Sequence, residues 1–202
     1  SDELNHASII DGCRLSRASV KTYRHSDLED LKRLLQECSC DGRRFIISDG
    51  VFSMDGDIAP LPGLVSLAGK YQALLIIDEA HATGVIGSEG AGTASHYGLE
   101  GRIDLQVGTM SKALAAEGGY VVGKRLLIEY LKSKSRPFIF STALSPASAA
   151  AATEALSLLR NKGNSYIEKL RSNSELLRKL LTEAGLPIIK GVTPIIPIIV
   201  GE

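Results

Sequence analysis

Two short apolar runs, each ending in a cluster of chemically active residues, constrain this chain more than any other feature. Leu74-Leu75-Ile76-Ile77 leads into Asp78-Glu79-Ala80-His81, and Leu105-Gln106-Val107 leads into Gly108-Thr109-Met110-Ser111-Lys112-Ala113. Runs of this length bounded by turn residues read as buried strands. An acid, a histidine and a lysine then sit at or just past the ends of strands in one sheet. Open α/β sheets build their ligand sites there.

The rest of the chain alternates in the same way. Helices are expected over residues 7–17, 27–37, 60–71, 124–133, 146–160 and 165–184, and strands over 45–48, 73–78, 104–108, 120–122 and 138–141. Leu28, Leu31, Leu34 and Leu35 recur at helical spacing. Pro60 suits a helix start, and Gly185 suits a helix end. The alternation predicts an α/β fold with a mainly parallel central sheet covered by helices on both faces. Residues 1–185 are expected to form one large domain, and Leu186-Pro187 to mark a break after which 186–202 begin a smaller one.

A chain of 202 residues with 44% hydrophobic and 23% charged residues can bury a sizeable core. Its 23 Lys plus Arg match its 23 Asp plus Glu, so no overall field points to nucleic acid or to an anionic membrane. No apolar run approaches the ~20 residues that span a bilayer. Cys13, Cys38 and Cys40 show no metal-ligand spacing and no paired framework. They are expected to remain thiols in a reducing cytoplasm. Both ends are abrupt, and the chain is expected to be a portion of a longer polypeptide.

The letters Asp78-Glu79-Ala80-His81 also spell a helicase box, and Gly118-Gly119-Tyr120-Val121-Val122-Gly123-Lys124 imitates a phosphate loop. The imitation fails at Arg125, where a magnesium-ligating Ser or Thr is required. It also follows the acidic box instead of preceding it. A lysine with a dedicated carboxylate points instead to Schiff-base chemistry on pyridoxal phosphate. The lysine holds the aldehyde, and the carboxylate pairs with the pyridine nitrogen.

Five ordered segments carry a family resemblance that covers nearly the whole chain. They are Asp2-Glu3-Leu4-Asn5-His6-Ala7-Ser8, the run from Asp49 to Asp57, Asp78-Glu79-Ala80-His81-Ala82-Thr83-Gly84, Gly108-Thr109-Met110-Ser111-Lys112, and Arg136-Pro137-Phe138-Ile139-Phe140-Ser141-Thr142. Together they resemble the α-oxoamine synthases, pyridoxal-phosphate enzymes of the aspartate-aminotransferase fold. The resemblance implies that Lys112 bonds the cofactor and moves the substrate α-proton, and that Asp78 pairs with the pyridine nitrogen. It implies that His81 serves the phenolic oxygen and the acyl substrate, and that His6 stacks on the ring. Ser53, which also suits plain turn chemistry, is placed near the phenolic oxygen. Thr109, with Ser111, is implied at the phosphate. Ser141 and Thr142 are implied to reach the partner subunit's cofactor phosphate, although a helix cap before Pro146 would explain them too. His25 and His96 read as surface or packing residues.

The resemblance implies a homodimer with its active site at the subunit interface. The expected reaction is decarboxylative condensation of an amino acid with an acyl-CoA or acyl-carrier-protein thioester. L-alanine with a pimeloyl thioester is the favoured pair, and glycine with an acetyl thioester is the alternative. A non-catalytic partner subunit is a remote one. Many relatives have glycine where this chain has Ala115, so a small effect on that loop is expected. A glycine-containing N-terminal loop and a C-terminal-domain arginine are also implied, and neither is in this chain, so the portion alone is expected to be inactive.

Overall fold

The structure, a computed structural model, describes residues 1–39 and 42–201. The expectation for Cys40 lies outside them. The elements run α1 (Ala7–Leu15), α2 (Leu28–Glu37), β1 (Arg44–Asp49), α3 (Leu61–Tyr71), β2 (Ala73–Asp78), a 3-10 turn (Ser88–Gly90), α4 (Thr93–His96), β3 (Leu105–Thr109), β4 (Gly119–Gly123), α5 (Arg125–Lys134), α6 (Arg136–Ile139) and α7 (Pro146–Glu183).

The four strands form one sheet in the order β1-β2-β3-β4. The first three are parallel and β4 is antiparallel to β3. A parallel neighbour needs a long crossover, and α3 supplies it between β1 and β2. Only residues 110–118 separate β3 from β4, too few for a crossover, so β4 turns back.

Alternation along β2 decides which way each side chain faces. Ala73, Leu75 and Ile77 are buried, while Leu74, Ile76 and Asp78 are half-buried on the opposite face. The buried set packs with Ile46 of β1, with Leu61, Leu64, Val65 and Ala68 of α3, and with Leu31 and Leu35 of α2. Burying each such Leu or Ile contributes about 1.5–3 kcal/mol. Tyr23 and Phe52 close this core, each 1% exposed.

The structure differs from the expected elements in two places. Residues 138–141 are not a strand: Arg136–Ile139 form one turn of helix, α6, and Phe140 follows it. Pro137 stands at the helix start, where its fixed φ favours helix. The Ser141 hydroxyl donates back to the Pro137 carbonyl, a helical contact. A short apolar run cannot by itself distinguish the two states. Nor are there two helices after Pro146. α7 is continuous over 38 residues, because Gly163 is a close approach and not a break. A Cβ there would come within 3.2 Å of the Glu89 carbonyl oxygen. Next to it, Asn164 Oδ1 accepts the Glu89 N–H at 3.0 Å.

The end of α7 is as expected. Gly185 has φ +74°, and the amides of Gly185 and Leu186 donate to the carbonyls of Thr182 and Leu181. This is the Schellman arrangement that glycine favours. Beyond it, residues 187–199 return on themselves through an Ile188–Ile198 antiparallel bridge. Arg178 of α7 donates to the carbonyls of Ile189, Thr193 and Ile195 and holds that return in place. No described helix is long and apolar enough to cross a membrane.

Candidate active site

Asp78 is the last residue of β2, and Lys112 lies in the loop just past β3. The sheet therefore brings together what 34 residues of sequence separate. Lys112 Nζ lies 2.7 Å from His81 Nε2. Burial, then the positive charge of Lys112, push the pKa of His81 below the ordinary histidine value, against the pull of Asp78. The neutral ring accepts from the lysine amine through Nε2, which leaves Nδ1 protonated. Among the described residues, Lys112 has no carboxylate partner, unlike an ordinary surface lysine in an ion pair.

The lysine loop is closed on itself. Met110 N–H donates to Gly118 O, Ala116 N–H to Met110 O and Ala115 N–H to Lys112 O. It also packs tightly on the segment after His81. Gly84 has φ +76°, and a Cβ there would lie 2.5 Å from Ala113 Cβ. Gly118 has φ +111° and packs against the Leu144 and Met110 side chains, and a Cβ on Gly119 would lie 3.2 Å from the Gly108 carbonyl oxygen. Ala115, by contrast, occupies the left-handed region at φ +48°. That is the conformation for which glycine is suited.

Asp78 Oδ1 accepts the Ala80 N–H at 2.8 Å. Its other oxygen has no hydrogen-bond partner among the described residues. One carboxylate oxygen thus remains to meet a ring N–H, and one amine remains to meet an aldehyde. These residues fit pyridoxal phosphate. Thr109 Oγ1 and Ser111 Oγ are 2.7 Å apart, and the Ser111 N–H donates to Thr109 Oγ1. The pair presents hydroxyls beside the lysine, suited to a phosphate. A cleft of about 170 Å³ opens here, lined by His81, Lys112, Val85, Leu170, Pro194 and Ile195 among others.

His6 caps α1: its Nδ1 accepts the Ser8 N–H at 3.3 Å. Its charge contributes to the depressed pKa of His81, which brings it within electrostatic reach of the site. Ser53 is half-buried in the turn after Phe52 and makes no hydrogen bond among the described residues. Ser141 and Thr142 are exposed, and among the described residues neither hydrogen-bonds Lys112 or His81. They do not cap α7 either, because Ser145 does, accepting the Ser148 N–H at 3.1 Å.

Glu79, the second acid of the Asp78–His81 run, turns away from the site. It is 2% exposed and accepts from Thr93 N–H, Thr93 Oγ1 and Gln106. Burial pushes its pKa up, and these donors oppose that. It anchors the turn before α4, so the two acids of the run never act as a pair. This removes the metal-binding geometry of a helicase box.

Asp49 was not singled out by motif reading and belongs to the cluster. It ends β1 directly across from Asp78 in the parallel register. It is 5% exposed, and its Oδ2 accepts the His6 N–H at 3.0 Å. Burial, then the Asp78 charge, push its carboxyl up to about 7. A signal was present: each of two consecutive apolar strands ends in Asp.

The whole chain, residues 1–202, matches the family described as aminotransferase class I and II. It is 55% identical to the 8-amino-7-oxononanoate synthase of Thermoanaerobacter pseudethanolicus, over all of this chain and 51% of that protein. A solved serine palmitoyltransferase from S. paucimobilis, with bound PLP and myriocin, superposes with TM-score 0.94 at 34% identity, over 100% of this chain and 52% of that one. A solved 8-amino-7-oxononanoate synthase from Francisella tularensis does so with TM-score 0.80 at 32% identity, over 100% of this chain and 58% of that one. The chain spans about half the length of the curated relatives it matches. It belongs to the aminotransferase class I and II family, within the α-oxoamine synthase group.

Proposed function

We propose that the protein uses pyridoxal phosphate to condense an amino acid with an acyl thioester, releasing carbon dioxide and the free carrier. The contact that carries this reading is Lys112 Nζ against His81 Nε2 at 2.7 Å, beside Asp78 at the end of β2. When bound, the cofactor supplies an electron-withdrawing ring that stabilises negative charge on the amino-acid α-carbon.

The chain's residues divide the work. Lys112 would hold the cofactor aldehyde through its amine, and the same Nζ would accept the substrate α-proton. Asp78 offers its unshared oxygen to the ring nitrogen and keeps a proton there. Neutral His81 hydrogen-bonds the phenolic oxygen and orients the acyl carbonyl. A positioned acid or base of this kind contributes about 10²–10⁴-fold in rate. His6 would stack on the ring face, and Ser53 would donate to the phenolic oxygen. Thr109 and Ser111 hold the phosphate.

The substrate pair in this reading is L-alanine with a pimeloyl thioester, giving 8-amino-7-oxononanoate, the biotin-pathway product. It is supported by relatives of that name at 55% and 51% identity over the whole chain. The protein is proposed to act in the cytoplasm as a homodimer, with Ser141 and Thr142 facing the partner's cofactor phosphate. Phe138 and Phe140 beside them are 65% and 76% exposed, an apolar surface that suits an interface. Residues 186–202 begin a second domain in this reading, supported by Pro187 and their own antiparallel pairing.

The test is an absorbance spectrum of the intact protein with pyridoxal phosphate, before and after borohydride, followed by peptide mapping. An imine band trapped on Lys112 is expected, with turnover of L-alanine exceeding that of glycine. No band, or trapping on another lysine, overturns the reading.

A further inference from the structure

His25 lies between the two segments that carry His6 and Ser53. Its Nδ1 is 3.0 Å from Asp2 Oδ1, and its Nε2 is 2.9 Å from Asp57 Oδ2. An ionised carboxylate only accepts. Both contacts are hydrogen bonds only if both ring nitrogens carry protons, so the ring is an imidazolium. The ring also packs edge-on to Phe52, with centroids 4.5 Å apart.

Each end of the bridge is anchored. Asp2 is 2% exposed and also takes the N–H groups of Leu4 and Ser26. From Asp2 the chain runs directly to His6. Asp57 closes the Ser53 loop, where Phe52 N–H donates to Asp57 O and Gly56 N–H to Phe52 O. Asp57 Oδ1 is buried without a partner among the described residues, so that carboxylate relies on His25.

The surrounding charges leave His25 as the balancing cation. Asp2 and Asp57 face the ring, and Glu3 Oε1 accepts the backbone N–H of His25 at 2.7 Å. The nearby Arg24 is engaged with Asp27 and Asp30. The Tyr23 phenol stays neutral, its pKa raised first by burial and then by Asp2. Burial opposes the charge on His25, but Asp2 and Asp57 outweigh it and hold the ring's pKa above the ordinary histidine value.

We propose that His25 is a positioning residue, an imidazolium bridge from Asp2 to Asp57 that holds the His6 segment and the Ser53 loop in register. Its functional meaning rests on the reading that His6 and Ser53 serve the cofactor. Because the folded-state pKa is raised, the bridge is complete below about pH 6.5. It opens as pH rises through the raised value.

The test uses the intact protein. Imidazole nitrogen shifts at about pH 5.5, below the ordinary histidine value, are expected to show both His25 nitrogens protonated, and one unprotonated nitrogen there overturns the proposal. In His25→Gln, amide exchange over residues 53–58 is expected to quicken about tenfold, the effect of one charged hydrogen bond. Residues 75–77 should be unchanged. If His25→Gln loosens the whole fold, Asp57→Asn carries the same measurement, since its side chain is 40% exposed. Unchanged exchange over 53–58 in Asp57→Asn overturns the proposal. Borohydride trapping on Lys112 is read in parallel. Trapping with unchanged exchange sinks only the bridge, and no trapping in the wild type sinks only the site reading.

Discussion

Asp49 and Asp78 end neighbouring parallel strands directly opposite one another. Burial first, and the facing Asp78 charge second, disfavour the ionised form of Asp49. Its carboxyl titrates near 7, where an ordinary aspartate titrates near 3.8. The folded state therefore binds the extra proton. Its contribution is full below about pH 4 and is lost as pH rises through about 7. Asp49→Asn keeps an acceptor for the His6 N–H and carries no charge. It should gain on the wild type by up to about 1.4 kcal/mol per pH unit across that window. Urea unfolding at pH 5 and pH 8 measures this, and an equal gap at both values would show that Asp49 does not titrate there.

His81 provides the opposite sign. Its folded pKa lies below the ordinary histidine value, so the unfolded chain takes the proton first. Its contribution is present above about pH 6.5 and is lost as pH falls through the depressed value. Burial is the larger cause and the Lys112 charge the second. Lys112→Ala should therefore raise the His81 pKa without restoring it fully. Proton shifts of the ring against pH in both proteins decide it, and identical titrations would place the amine away from the imidazole.

Asp78→Asn preserves an acceptor for the Ala80 N–H and removes the charge offered to the ring nitrogen. Cofactor should still be trapped on Lys112, while turnover falls by about 10² or more. Turnover near the wild-type rate would mean that another group holds the pyridine nitrogen.

Ala115 and Gly84 make a matched pair at positive φ. At Ala115, φ +48° costs an alanine about 1–2 kcal/mol, partly offset because glycine loses more entropy on folding. Ala115→Gly should stabilise the protein by ~0.5 kcal/mol. Gly84→Ala meets both the positive φ and Ala113 Cβ. It should destabilise by about 2 kcal/mol or more and loosen the lysine loop. Thermal unfolding of both variants checks the pair; a stabilising Gly84→Ala would contradict the packing described.

Much of this was legible in the chain. The strands before Asp78 and Gly108 announce themselves because buried parallel strands are continuously apolar. Gly185 announces a helix end because glycine adopts the required positive φ without a Cβ penalty. Lys112, Asp78 and His81 stand out because they follow apolar strands, where open α/β sheets build their ligand sites. Other features depended on neighbours distant in sequence. Gly163 is a packing contact only because Glu89 lies against it, and without that partner it reads as a break. Arg136 to Ile139 became a turn of helix through Pro137 and a local hydroxyl contact, which hydrophobic pattern does not encode. Asp49 and His25 are ordinary letters until the sheet sets one beside Asp78 and the folded loops set the other between Asp2 and Asp57. Local propensity and hydrophobic period determined the elements and the reactive residues. The environment of each charge, and so its protonation, was decided only by the tertiary structure, because burial and Coulomb interaction act through space and not along the chain.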